Sequence, residues 1–174
     1  MAKQYGFYVE VDKCVQCHAC EVACKAANGV DLGVKWRRVV TVWNGTYPKV
    51  GNESISLSCM HCGNPACEAV CPAGAISKDP ETGVVTVDRS KCIGCHYCFF
   101  ACPVGVPQYG QDGTMQKCHL CIEKVSQGQD PPCVWTCPAG ALHAGPLEEL
   151  AVLAQEQAAK RLTAATQPSI LFSK

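Results

Sequence analysis

The chain contains no stretch approaching roughly 18 consecutive apolar residues, so no transmembrane span is expected. Residues 1–10 show neither an apolar h-region nor a twin-arginine run, and no signal peptide is expected there. The expected location is cytoplasmic, or periplasmic by export with a partner. Positive charge is not in excess, with 15 Lys and Arg against 15 Asp and Glu and no basic patch, which argues against nucleic acid as a partner. Nucleophile and base pairs, phosphate-binding glycine loops and dinucleotide fingerprints are missing too, so catalysis by this chain alone is not expected. Aromatic residues are only 7% of the chain, few for a core built from large rings.

What is abundant is sulfur. Of 174 residues 16 are cysteine, about 9%, near the level at which a chain depends on crosslinks or metal for its fold. With metal binding coupled to folding, the apo chain is expected to be largely unstructured. The formal charge of zero counts every thiol as neutral. Four thiolates around an oxidised cubane carry about −2, so a chain loaded with four would hold about −8 on its clusters alone.

The cysteines form four groups of four. Cys14, Cys17, Cys20 and Cys24 share the CxxCxxCxxxC spacing with Cys92, Cys95, Cys98 and Cys102. The group Cys59, Cys62, Cys67 and Cys71 widens one gap, and Cys118, Cys121, Cys133 and Cys137 widens it further. Proline follows the last cysteine in three groups, at Pro72, Pro103 and Pro138, whereas Lys25 follows Cys24. Two residues between ligands let a tight loop wrap three corners of a cube, and the fourth cysteine lies one helical turn beyond the third. It therefore points past its own cluster toward a neighbour, as in two-cluster ferredoxins. Proline then turns the chain away. The groups are thus expected to pair, each lending its last cysteine to its partner. A disulfide framework does not require this order. Structural zinc, the stronger rival, gives no reason for a fourth cysteine one turn after the third nor for the proline after it.

The repetition runs past the ligands. Cys71-Pro72-Ala73-Gly74-Ala75-Ile76 and Cys137-Pro138-Ala139-Gly140-Ala141-Leu142 are nearly one hexapeptide, and Cys102-Pro103-Val104-Gly105-Val106 is a looser copy. The segment Val9 to Cys14 echoes Val85 to Cys92 as a short alternating strand leading into a ligand loop. Such self-similarity marks duplicated ferredoxin-like units. Ile76 to Val87, around Asp79-Pro80-Glu81-Thr82-Gly83, predicts a β-hairpin. Residues 25–58, with Trp36, Val39, Val40, Val42 and Trp43, read as a cysteine-free insert of short strands and loops, either covering the first cluster or offering a docking surface. Leu147 to Leu162 has the pattern of an amphipathic helix, and the tail from Thr163 to Lys174 contains Ile170-Leu171-Phe172, apolar enough to dock. His18, His61, His96 and His119 sit in or beside the ligand loops and read as partly exposed loop residues or as tuners of a cluster. His143 carries no specific expectation.

The sequence resembles the iron-sulfur electron-transfer subunits of the dimethyl sulfoxide reductase family, which also serve polysulfide, thiosulfate, nitrite and formate enzymes. The resemblance covers residues 5–150 and rests on Val11-Asp12-Lys13-Cys14 through Cys24, Ser58 through Cys67, Lys91-Cys92-Ile93-Gly94-Cys95-His96-Tyr97-Cys98, Lys117-Cys118-His119-Leu120-Cys121 and Pro132-Cys133. It implies a pairing of the first group with the fourth and of the second with the third. One cluster would then lie on Cys14, Cys17, Cys20 and Cys137, and the next on Cys24, Cys118, Cys121 and Cys133. A third would lie on Cys59, Cys62, Cys67 and Cys102, and the last on Cys71, Cys92, Cys95 and Cys98. Four 4Fe-4S clusters follow from this resemblance, with a large molybdopterin catalytic subunit (Mo or W) as partner and, in some relatives, a quinone-reactive membrane subunit. A free polyferredoxin carrier is the alternative.

The expected architecture is α+β. Residues 1–24 and 103–146 form one ferredoxin-like unit holding two clusters, 59–102 a second, 25–58 the insert and 147–174 a C-terminal helix and tail.

Overall fold

The computed structural model describes residues 3–154, together with the backbone of two short strands at 160–161 and 170–173. In chain order the first elements are β1 (Tyr5–Glu10), a 3-10 turn (Val11–Lys13), α1 (Ala19–Asn28), β2 (Arg37–Thr46) and β3 (Lys49–Ser58). Next come α2 (Ala66–Ala69), β4 (Ile76–Lys78), β5 (Val85–Val87), α3 (Tyr97–Ala101), β6 (Gln108–Tyr109) and β7 (Met115–Gln116). The last are α4 (Ile122–Val125), α5 (Pro132–Trp135), β8 (Leu142–Pro146), α6 (Leu147–Ala154), β9 (Lys160–Arg161) and β10 (Ile170–Ser173). The mixture of short helices and small sheets is α+β. No helix among the described residues is long and apolar enough to cross a membrane.

Every residue of β1 is buried. Burial on both faces requires a near-continuous apolar run, and β1 has that position because it lies between β8, antiparallel, and β10, parallel, in a sheet of order β8-β1-β10-β9. Tyr5, Phe7 and Val9 face the main core with Cys20, Cys24, Leu120 and Leu142, while Tyr8 points the other way under Leu150 and Ala154 of α6. Ile170-Leu171-Phe172, expected to dock, pairs its backbone with Phe7, Tyr8 and Val9. The helix expected over 147–162 is helical over Leu147–Ala154 only. Lys160 and Arg161 are extended instead, held by pairing with Phe172 and Leu171, and 155–159 lie outside the described residues.

The insert differs from the short strands expected. β2 and β3 form one hairpin with ten paired positions, from Arg37 opposite Ser58 to Thr46 opposite Lys49. Its base is buried, through Arg37, Ser54, Ser56 and Ser58, and its tip is exposed, with Trp43 67% and Tyr47 92% accessible. Glu21 of α1 ties the base down by accepting from the Val39 N–H and from Lys35 Nζ at 2.8 Å. The predicted hairpin at 76–87 is present as β4 and β5, with Ile76 opposite Val87. The Asp79 carboxylate organises its turn by accepting from the Glu81 N–H at 3.0 Å and from Thr82 Oγ1 at 2.5 Å. A second, smaller core of Ile76, Val85, Cys98 and Met115 lies under this hairpin.

Candidate iron-sulfur sites

All four groups share one backbone device. The residue before the second cysteine has positive φ in each: Gln16 (56°), His61 (40°), Gly94 (66°) and Leu120 (63°). Only one is glycine, and the others accept a conformation that costs of order 1–3 kcal/mol for any larger residue. In the first three groups the turn folds the CxxC back on itself so that its two sulfurs border one space. In the two identically spaced groups the residue after the second cysteine is also left-handed, at His18 (59°) and His96 (66°), and starts the helix bearing the third, Cys20 in α1 and Cys98 in α3.

The repeated hexapeptide has a local consequence. Gly74 (57°) and Gly140 (59°) turn the chain after each proline. That turn aims the Ala75 amide at Cys71 Sγ and the Ala141 amide at Cys137 Sγ, both at 3.3 Å. The amides of Met115 and Leu120 reach Cys92 and Cys118 Sγ at the same distance. Amide donors aimed at sulfur favour the thiolate over the thiol.

Three cavities are bordered by sulfur, and each draws on two groups. Cys14, Cys17, Cys20 and Cys137 border one, beneath Val39 and Ser56 of the hairpin. Cys59, Cys62, Cys67 and Cys102 border a second, which Lys117 also lines. Cys71, Cys92, Cys95 and Cys98 border a third. Of the remaining four, Cys133 lies within electrostatic range of Cys24, Cys118 and Cys121. A wider cleft lined by Asn28, His119 and Lys124 opens beside Cys121. Among the described residues no three His, Cys, Asp or Glu side chains meet at the spacing of a single bound ion. The sulfurs surround a space rather than a point, which fits a cubic cluster.

Electrostatics links iron to these thiols. Burial pushes the Cys24 and Cys67 thiols up to about 12 and the Cys118 thiol higher still. Such groups are protonated at neutral pH without a cation, so they lose their protons when metal arrives.

The histidines, expected to be partly exposed loop residues or tuners of a cluster, differ from one another. His61 is fully buried; its Nδ1 accepts from the Val85 N–H at 3.1 Å, and burial, then the charges of Lys117 and Lys78, depress its pKa. His119 accepts from the Cys121 N–H through Nδ1, so its Nε2 carries the proton and donates to Asn28 Oδ1 at 3.0 Å. His18 stands beside Glu21 at 3.0 Å, and His96 stacks on Tyr109 at 3.7 Å between centroids. His143 reaches Glu10 at 2.8 Å.

Sequence reasoning missed several contributors. Tyr109 Oη lies 3.2 Å from Cys98 Sγ and Ser56 Oγ 3.4 Å from Cys20 Sγ. Arg37 and Lys117, 1% and 3% exposed, are cations inside the fold. A buried arginine or lysine looks like any surface one in a sequence, and only a strong apolar pattern on both sides would hint otherwise.

The family model of the 4Fe-4S dicluster domain matches residues 51–147. YnfG of Escherichia coli (strain K12), a probable anaerobic dimethyl sulfoxide reductase chain, is 43% identical over 159 residues, covering 86% of the present sequence and 77% of the relative. A sulfite dehydrogenase subunit of Allochromatium vinosum is 38% identical over 160 residues, 79% of the present sequence and 67% of the relative. The formate dehydrogenase iron-sulfur subunit of Wolinella succinogenes is 35% identical over 178 residues, 89% and 88% respectively. With cavities bordered by four sulfurs each and identity of this extent, the chain therefore belongs to the 4Fe-4S dicluster family, among the iron-sulfur electron-transfer subunits of the dimethyl sulfoxide reductase type.

Proposed function

We propose that the chain holds its four 4Fe-4S clusters by crossed ligation and relays single electrons to or from a molybdopterin-containing catalytic subunit. One pair of clusters falls to Cys14, Cys17, Cys20 and Cys137 and to Cys24, Cys118, Cys121 and Cys133. The other falls to Cys59, Cys62, Cys67 and Cys102 and to Cys71, Cys92, Cys95 and Cys98. Residues 1–24 with 103–146 then make one two-cluster ferredoxin-like unit and 59–102 the second.

The observation that carries this reading is that each of three cavities is bordered by four sulfurs drawn from two groups in the crossed combination. When bound, a 4Fe-4S cluster takes up and releases one electron at a time. The chain's residues bind it through thiolates, orient it with the left-handed CxxC turns, and steady its added negative charge with amides aimed at sulfur. The catalytic partner is supported by the relatives, which are named as parts of dimethyl sulfoxide reductase, formate dehydrogenase and sulfite dehydrogenase. A quinone-reactive membrane subunit would complete the assembly in a membrane-bound version.

Two experiments test it. Gentle anaerobic purification should yield a stable complex with a large molybdenum or tungsten protein; a lone monomer would instead favour a diffusing polyferredoxin. Cys137→Ala should lower iron from about sixteen to about twelve per chain, by loss of the cluster on Cys14, Cys17 and Cys20. Retention of all sixteen would refute the crossing.

A further inference from the structure

Arg37 opens β2 and is 1% exposed. Its Cζ stands 4.3 Å from the centroid of the Phe7 ring, and its Nη1 donates to Ser56 Oγ at 3.0 Å. Its Nε and Nη2 are buried and have no acceptor among the described residues. A guanidinium carries five N–H donors, accepts nothing and does not give up its charge in a protein. A buried charge without a countercharge is strongly unfavourable, so a fold that keeps one compensates it. The described ion pairs leave Arg37 without a carboxylate. The sulfurs of Cys133, Cys118, Cys20 and Cys24 lie within electrostatic range of it and carry negative charge once they ligate iron.

These four sulfurs are split between two sites. Cys20 borders the cavity shared with Cys14, Cys17 and Cys137. Cys24, Cys118 and Cys133 belong to the neighbouring set. Cys20 and Cys24 sit one turn apart on α1, so the sites are adjacent, and Arg37 reaches the first through Ser56, whose Oγ lies 3.4 Å from Cys20 Sγ. Two clusters of about −2 each would otherwise face one another across the helix in a region shielded from water.

We propose that Arg37 is a shared counterion for these two clusters, its unpartnered N–H groups facing their sulfurs, and that it raises the reduction potentials of both. The inference rests on the cluster assignment proposed for this chain. Its sign follows from charge: reduction adds one electron to a cluster, and a fixed cation nearby favours the more negative form. Arg37 touches no substrate and holds no iron; it is a positioning and potential-setting residue. Phe7 holds the guanidinium plane in place, a role that a lysine's single-point ammonium would not fill as well.

The test uses the intact complex, purified anaerobically and titrated with dithionite while each cluster is followed by paramagnetic resonance. Wild-type protein comes first: fewer than four clusters there would overturn the cluster assignment and leave the Arg37 measurement without its object. Signals are assigned with Cys20→Ser and Cys133→Ser. Arg37→Gln keeps a similar length and a donor but removes the charge. It should load fully and make reduction of those two clusters about tenfold or more less favourable, about 59 mV per tenfold for one electron, with the other two unmoved. Four unchanged potentials, or an equal shift of all four, would overturn the proposal. Should Arg37→Gln lose the two clusters, Arg37→Lys decides. A lysine variant that loads them supports a requirement for charge, and one that does not load them reduces Arg37 to a packing residue and ends the idea.

Discussion

Under the crossed ligation proposed above, the molecule has two halves that use one ligand pattern and handle its charge differently. In the half built on the first and fourth cysteine groups, an arginine lies inside the core with two N–H groups unpartnered among the described residues and four sulfurs within electrostatic range. In the half built on the second and third groups the cations are lysines, and backbone carbonyls already hold them. Lys117 Nζ donates to the carbonyls of Val85 and of Cys118, the latter at 3.2 Å, and Lys78 Nζ to those of Cys62 at 3.0 Å and Gly83 at 2.6 Å. Both flank the Cys59 cavity. The Cys71 cavity has instead the Tyr109 hydroxyl and the Met115 amide beside its sulfurs, and Cys95 is exposed just as Cys17 is in the first group. Sites with nearly the same cysteine spacing therefore differ in nearby charge and in donors to sulfur, two of the variables that set cluster potentials.

The sharpest way to break this contrast is to remove the iron. Without charge on the sulfurs Arg37 is an uncompensated buried cation, so anaerobic chelation should unfold the first half before the second. Hydrogen exchange should show amides of β1 and the base of β2 losing protection first, by a factor of a hundred or more, given that breaking a buried pair costs about 3–5 kcal/mol. Earlier loss in β4 and β5 would reverse the comparison. A smaller effect is expected from Lys117→Met. It should lower the potential of the cluster on Cys59, Cys62, Cys67 and Cys102 by about a tenfold change in its reduction equilibrium, and leave the Arg37 pair within error. Equal movement of all four potentials in the same titration would remove the distinction between the halves.

Tyr109→Phe deletes one donor to Cys98. A net contribution of about 1 kcal/mol per hydrogen bond predicts a downward shift of a few tens of millivolts confined to the Cys71 cluster. The smallest change is in stability alone. Glu10 accepts from Lys13 Nζ and His143 Nε2, both at 2.8 Å. Burial works to raise its pKa, but these two donors and their charges outweigh it and leave it below 4.5. A depressed carboxylate stabilises the fold above 4.5 and loses that contribution as pH falls through the folded value. Lys13 is half exposed, so Glu10→Gln should cost about 1 kcal/mol or less at neutral pH. In thermal unfolding at stepped pH, the gap to wild type should narrow as pH falls below 4.5; a gap that widens on acidification would contradict this sign.

Much of the ligand framework was legible in the order of residues. The spacing of sixteen cysteines, the hexapeptide around Gly74 and Gly140 and the turn at Asp79 to Gly83 are local signals, acting over a few residues, and the folded protein contains amides on sulfur and the β4–β5 hairpin, whereas the left-handed turns at Gln16, His61 and Leu120 had no glycine to announce them. The extended backbone at Lys160 and Arg161 was not legible, because the two pair with a strand about ten residues further on and that pairing overrides their helical pattern. Nor was the ten-pair length of the β2–β3 hairpin, since its exposed tip has none of the inward alternation that marks a half-buried strand.

The sequence by itself determined the chemistry, because iron-sulfur ligation depends on thiols at fixed short separations, and separations are written in the order of residues. Only the tertiary structure decided which sulfurs share a cavity and which cation stands among them. Those are meetings between residues as far apart as Arg37 and Cys133, and they depend on how helices and strands pack rather than on any local pattern.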